Sequence, residues 1–338
     1  MHILYLGCHA INEYEDIKLF SSLGHEIVAM GAYNNPSSPG DNARPALPDI
    51  YYNPEMAKVA ASLTWDYEKT SVIPDELINW CDAIYILGIQ LWLPFNWERI
   101  KRKHVIFRSI GQSVEGTENI LRKYRPEGLK IVRYSPIEVR IPGYVGEDAL
   151  IRFYKDENEY QGWTGERVQV ITVAQDMKKR EDALRYSLFE QCTRGFPRKL
   201  YGRSNEKEVE VGGQAVNYEE LKQVLRENRV FFYTCTFPAP YTMGFIEAWM
   251  TGLPVVAIGA QLVPQLPGYQ WIEVPSLIIN GWNGFTSDMV DVLRQHVKDL
   301  LNDYDLAKKV SVEGRKRAVQ LFGKERIKAQ WKEFFDGL

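Results

Sequence analysis

Four things are scarce in this sequence, and each scarcity narrows what the chain can be. Its four cysteines, Cys8, Cys81, Cys192 and Cys235, lie far apart, and none is set against another cysteine or a histidine at zinc-ligand spacing. They read as reduced, mostly buried thiols of a cytoplasmic protein rather than as a disulfide framework or a metal site. There is no surplus of positive charge: 41 Lys and Arg stand against 44 Asp and Glu, for a net charge of -3. A dedicated nucleic-acid binder carries the opposite balance, so no nucleic-acid partner is expected. The uncharged stretch Ala83 to Asn96 is too short to cross a bilayer and contains Gly88, Gln90 and Pro94. With no signal peptide and no spanning segment read, any membrane contact would be peripheral. Finally, the first strand ends in Gly7-Cys-His-Ala-Ile-Asn12 without the G-x-G-x-x-G spacing of a dinucleotide site, so no such cofactor is expected.

What is present is a run of alternating strands and helices. At 338 residues the chain is long enough for two domains with a core each. Residues His2 to Gly7, Glu13 to Leu23 and Glu26 to Met30 spell strand, helix and strand, with Gly24 as the stop. That is the opening of a doubly wound parallel sheet. Asn34 to Pro48 reads as a long loop, rich in Pro, Asn, Ser and Gly. Further strands are expected at Ala83 to Leu87, Val105 to Phe107 and Lys130 to Tyr134. Loops leaving the carboxyl ends of such strands hold ligands, so His9, Arg108, Ser109 and Gln112 are candidates for the acceptor or sugar, and Gly7 for the nucleotide sugar. His9 also fits a plain surface position, and the basic cluster Lys101-Arg-Lys-His104 fits a solvated helix end. Asp303-Tyr-Asp305 lies between two helices and reads as a turn and cap rather than a metal site.

The most informative stretch runs from Val230 to Gly259. Val230 to Tyr233 is a short apolar strand, Pro238 and Pro240 break the chain, and Thr242 can cap a helix that carries Phe245, Ile246, Trp249 and Met250 at helical spacing. Gly252 stops the helix and Val255 to Ile258 forms the next strand. A helix N-terminus at the carboxyl end of a parallel strand offers unpaired amides and a positive dipole end, which suits a phosphate. Glu247, alone in an apolar helix, needs a partner; ribose hydroxyls and a nearby lysine are the two that fit.

Met243-Gly-Phe-Ile-Glu-Ala-Trp-Met-Thr-Gly-Leu-Pro-Val-Val256 resembles the signature of GT-B-fold retaining nucleotide-sugar glycosyltransferases. This is the large group 1, or family 4-like, family that includes sucrose synthase-like and bacterial polysaccharide enzymes. The resemblance implies two Rossmann-like α/β domains facing a cleft. It places Glu247 on the donor ribose, and the amides of Thr242 and Met243 on its distal phosphate. Pro240 and Tyr241 keep the family's Pro-Phe positions, whereas Ala239 stands where the family has a sugar-contacting Glu. Ala174-Gln-Asp-Met-Lys-Lys-Arg-Glu181 falls where the family writes Gly-Arg-Leu-x-x-x-Lys-Gly. Arg180 takes the Lys position beside Lys178 and Lys179, and Gln175 replaces the Arg. Arg180 and Lys179 are therefore the cations expected to stabilise the leaving diphosphate. Gly202 keeps the first glycine of the family's Val-Gly-x-Gly turn, and Val216 lies in the loop that contacts the base.

The expected organisation is an acceptor-binding domain over residues 1–158, a nucleotide-sugar domain over 159–320, and a C-terminal helix over 321–338 that crosses back. The expected activity is transfer of a sugar from a nucleotide-diphosphate donor to a small acceptor, with retention and without a metal. A binding protein that has lost turnover, or a nucleotide-sugar epimerase of the same fold, would carry many of the same residues.

Overall fold

The computed structural model describes residues 1–30, 53–66, 68–111, 114–202, 205, 211–213, 218–263 and 272–338. Three sequence expectations, the loop over Asn34 to Pro48, Gln112 and Val216, fall outside these residues. The chain divides into two compact units. The first is Met1–Phe153 with Ile327–Leu338, and the second is Tyr154–Arg326. The expected boundaries, at 158/159 and before residue 321, can be set beside this division.

In the first unit the chain runs β1 (His2–Leu6), α1 (Ala10–Ser22), β2 (Glu26–Ala29), α2 (Pro54–Ala60), α3 (Asp75–Trp80) and β3 (Ala83–Leu87). It continues through α4 (Trp92–Ile100), β4 (His104–Arg108), α5 (Glu115–Tyr124), β5 (Lys130–Arg133) and β6 (Ala149–Leu150). The strands form a six-stranded sheet in the order β2-β1-β3-β4-β5-β6, every pairing parallel. Strands β2 and β3 are buried along their whole length, as their unbroken apolar or near-apolar runs require of strands covered on both faces. The chain goes one way from β1 to β2 and then the other way to β3, so the strand order reverses at β1.

The second unit is built alike: β7 (Arg167–Val173), α6 (Glu181–Leu184), α7 (Tyr186–Thr193), β8 (Arg198–Tyr201), β9 (Val211–Gly213), α8 (Tyr218–Glu227) and β10 (Asn228–Tyr233). Then come α9 (Met243–Thr251), β11 (Val255–Ile258), α10 (Val274–Leu277), β12 (Phe285–Ser287), α11 (Val290–Asn302) and α12 (Tyr304–Phe322). Its sheet order is β12-β11-β10-β7-β8-β9, again all parallel. The order reverses between β7 and β10. Asp303 caps α12 by accepting the Leu306 N–H at 2.9 Å, which accounts for the Asp-x-Asp pair as a helix start. Among the described residues no helix is long and apolar enough to cross a membrane.

Helix α13 (Lys324–Asp336) spans the second division point, and its last ten residues belong with the first unit's core. Trp331 is fully buried there against Phe20, at 5.0 Å between ring centroids, and against Tyr85 at 5.8 Å. Phe335 packs on Phe20 and on His25. A core aromatic of this size leaves a cavity its neighbours cannot fill. Trp331→Ala is therefore expected to cost about 3–5 kcal/mol in chemical denaturation of the full chain. A cost below about 1 kcal/mol would show that this helix contributes little to the first core.

Candidate active site

The reversal of strand order in the second sheet leaves a gap in the covering helices at the carboxyl ends of β7 and β10, where open parallel sheets take their ligands. Two segments meet there. One is the loop that follows β7, carrying Lys178, Lys179 and Arg180. The other follows β10 and leads through Pro240 into α9. They are tied together: the Phe237 N–H donates to the Ala183 carbonyl at 2.8 Å, and the Thr234 hydroxyl donates to the Leu184 carbonyl at 2.6 Å. Gly202, after β8, closes in from the other side with φ +129, and a methyl there would fall 2.1 Å from the Ala174 carbonyl oxygen. Asn205 completes the join, accepting from Met177 N–H at 3.0 Å and donating to the Ala174 carbonyl at 2.7 Å.

Helix α9 starts as the sequence implies. Thr242 caps it by accepting the Phe245 N–H at 3.2 Å, and Gly252 ends it in the left-handed region with φ +90. Phe245 and Trp249 anchor the helix against Phe322 of α12. Cap and anchor leave the first turn free at one place. Among the described residues the Met243 and Gly244 amides have no acceptor, and a methyl on Gly244 would meet nothing within 4 Å. Two amide donors without an acceptor and the dipole end of a nine-residue helix thus lie beside the open space at Gly244.

Backbone strain gathers at the same edge. The non-glycine residues with positive φ among those described are Asp176 after β7, Cys235 after β10 and Arg185 between α6 and α7. Each such residue costs on the order of 1–3 kcal/mol, and strain of this kind collects where a ligand is held. Arg185 also separates α6 from α7. The Glu181 carboxylate turns back to accept the Ser187 N–H at 2.9 Å, satisfying one amide in the first turn of α7.

The individual candidates are distributed as follows. Lys179 is 75 % exposed and pairs with Asp176 at 3.1 Å; Lys178 lies over the Tyr186 ring. Arg180 is exposed, and its side chain makes no ion pair or hydrogen bond among the described residues. Tyr241 is an interior side chain packed edge-on against Phe322, so it shapes the loop from beneath. Glu247 is 4 % exposed, and its Oε1 receives Lys155 Nζ at 2.7 Å and the Tyr160 O–H at 3.1 Å. Of the two partners that fit this carboxylate, the lysine is the one in place, which satisfies a charge that burial would otherwise penalise. Lys155 itself, together with Asn205, Gly244 and Arg185, carried no signal in the sequence beyond its residue type.

At the carboxyl edge of the first sheet, Gly7 sits against the Tyr5 ring and the Glu13 carboxylate, where a methyl would meet them at 3.0 and 3.3 Å. His9 is exposed and caps α1, its Nδ1 3.4 Å from the Asn12 nitrogen. Arg108 and Ser109 are not presented to solvent. Ser109 is wholly buried, and Arg108 donates to the Arg133 carbonyl at 2.8 Å and lies over the Phe153 and Trp331 rings. An acceptor contact through either side chain, as the sequence suggested, is therefore replaced by an internal role. Arg133 forms a two-pronged pair with Glu118, 2.7 Å on each prong and fully buried. The Asp16 carboxylate accepts the Tyr5 and Tyr85 hydroxyls at 2.9 and 3.1 Å.

No family model matches the chain, and no curated protein matches it in sequence. Solved structures do match. Sucrose-phosphate synthase from Thermosynechococcus elongatus aligns with a TM-score of 0.70 at 13 % identity, over 100 % of this chain and 98 % of that one. Anabaena Alr3699/HepE in complex with UDP and glucose gives 0.70 at 14 % identity over 100 % of each chain. An alpha-glucosyltransferase in complex with UDP-glucose and DNA containing an abasic site gives 0.62 at 13 % identity, over 99 % and 98 %. The fold they share with this chain is GT-B, two Rossmann-like parallel-sheet units in one polypeptide. This chain is a divergent example of that fold.

Burial pushes the Asp16 carboxyl up to about 6, against the opposing pull of the Arg108 charge and the two tyrosine hydroxyls. A carboxyl raised in the folded state stabilises most below its unfolded value, and that contribution is lost as pH rises through about 6. Asp16→Asn is accordingly expected to cost more at pH 5 than at pH 8, by about 1 kcal/mol, in paired denaturation curves. Equal costs at the two pH values would show that Asp16 is ionised throughout.

Proposed function

We propose that this chain transfers a glycosyl group from a nucleoside-diphosphate sugar to a small carbohydrate-like acceptor. The observation that carries the proposal is the open first turn of α9 at the reversal point of the second sheet, with the cationic loop after β7 tied beside it. Free amides, a helix dipole and several cations in one crevice suit the two phosphates of a nucleotide sugar. Structural neighbours solved with UDP-glucose, or with UDP and glucose, support a uridine nucleotide as the first donor to try.

In this reaction the bond from the anomeric carbon to the β-phosphate oxygen breaks as a bond to the acceptor oxygen forms. Charge develops on the departing phosphate. The Met243 and Gly244 amides, with Arg180 and Lys179, lower its energy more in the transition state than in the ground state, which is what accelerates the step. The departing phosphate oxygen takes the acceptor's hydroxyl proton, so a retaining course needs no side-chain base. The metal-free character of the step belongs to the same proposal, the amides and cations supplying the positive charge. Acceptor binding is assigned to the first unit's carboxyl edge, at the loop that carries His9.

A second possibility is nucleotide-sugar binding without turnover. It is favoured by Ala239 in the place of a sugar-contacting Glu and by the engagement of Glu247 with Lys155. Release of UDP from UDP-glucose in the presence of an acceptor panel separates the two.

Gly244 provides the sharper test of the phosphate site. An acidic residue in the first turn favours the helix by about 0.3–1 kcal/mol, yet at this position it would project into the space assigned to phosphate. Gly244→Asp is expected to keep or raise the melting temperature while weakening UDP binding at least about tenfold in calorimetry. Unaltered UDP affinity in this variant would remove α9 from the site.

A further inference from the structure

The cations that the sequence brings forward, Lys178, Lys179 and Arg180, all stand on the exposed side of the loop after β7. A fourth, Arg185, differs from them in every physical respect. Its backbone is left-handed, with φ 55 and ψ 49, at the junction of α6 and α7. Its amide is bonded to the Glu181 carbonyl at 2.8 Å, and its own carbonyl accepts the Leu188 N–H at 3.0 Å, so both peptide groups are fixed. The carbonyls of the two residues before it accept the Phe237 N–H and the Thr234 hydroxyl, on the segment that leads from β10 into α9. Its position relative to the crevice is therefore set by hydrogen bonds on both sides.

The side chain has no matching structural return. It is half-buried, its Nε is fully enclosed without an acceptor, and among the described residues its guanidinium has no ion pair or hydrogen bond. A strained backbone and an enclosed, unsatisfied charged donor are both unfavourable. Glycine or asparagine would relieve the first, and any apolar residue the second. Cys235, itself in the left-handed region at the end of β10, lies within reach of the Arg185 charge, which opposes the effect of burial on that thiol.

We infer that Arg185 is the fixed cation of the diphosphate site, a catalytic residue that holds the leaving phosphates through its guanidinium fork while Lys178, Lys179 and Arg180 add mobile charge at the rim. This rests on the proposed function and deepens it. A planar fork held in place matches two phosphate oxygens at once and gives up less freedom than an exposed lysine.

The test uses the full-length chain, calorimetry with UDP and with uridine, and melting temperatures. Arg185→Asn suits the left-handed backbone better than arginine does. It is expected to melt at or above the wild-type temperature, to lose at least about tenfold in UDP affinity, and to keep its affinity for uridine. Arg185→Lys, which restores charge without the fork, is expected to fall between the two. Wild-type UDP affinity in Arg185→Asn overturns the inference and leaves the donor site standing. So does a parallel loss of UDP and uridine binding with a lowered melting temperature, which marks a structural residue. If the wild-type chain itself binds none of UDP, GDP and ADP, the donor proposal falls and this inference falls with it.

Discussion

Two hydrogen bonds, from the Thr234 hydroxyl to the Leu184 carbonyl and from the Phe237 N–H to the Ala183 carbonyl, hold the functional edge of the second unit together. They join loops that leave adjacent strands at the one place where the sheet order reverses. Without them, parallel topology would bring β7 and β10 side by side but would leave their loops free to separate. With them, a cationic segment and a helix N-terminus become parts of one rim. The apolar seat of α9, Phe245 and Trp249 on Phe322, does the remaining work by fixing where the helix dipole points.

The carboxyl edges of the two sheets are handled in opposite ways. Among the described residues of the second unit, donors are left without acceptors: the amides of Met243 and Gly244, and the enclosed Nε of Arg185. In the first unit the polar residues near the edge are turned inward. Arg133 closes on Glu118, Asp16 receives two tyrosine hydroxyls, and Arg108 is layered between Phe153 and Trp331. Such a buried ionic network contributes little net stability over a well-packed apolar core, but breaking one partner is costly. It rigidifies the platform from which Gly7 and His9 emerge.

Most of the scaffold was legible because parallel strands buried on both faces announce themselves as short apolar runs. The limits of β3, β11 and α9 follow directly from Ala83-Ile-Tyr-Ile-Leu87, from Val255 to Ile258, and from Thr242 and Gly252 as start and stop. Short or irregular pieces, α2, β6 and β9, had too little periodicity to register. The site was legible as backbone and much less as side chains. Helix start, glycine turn and cationic loop depend on local sequence, and each was visible. The inward turn of Arg108, Ser109 and Tyr241, the capture of Glu247 by Lys155, and the left-handed break at Arg185 depend on partners distant in sequence. Lys155 and Arg185 look ordinary in the sequence until the fold brings Glu247 to the one and the end of β10 beside the other.

The most direct measurement is amide hydrogen exchange on the wild-type chain with and without UDP. Seating of a diphosphate against α9 predicts that UDP slows exchange at Met243 and Gly244 and in the 176–185 loop, with the first unit's β1 to β5 core unchanged. UDP bound with no change at Met243 and Gly244 would contradict a phosphate site at this helix.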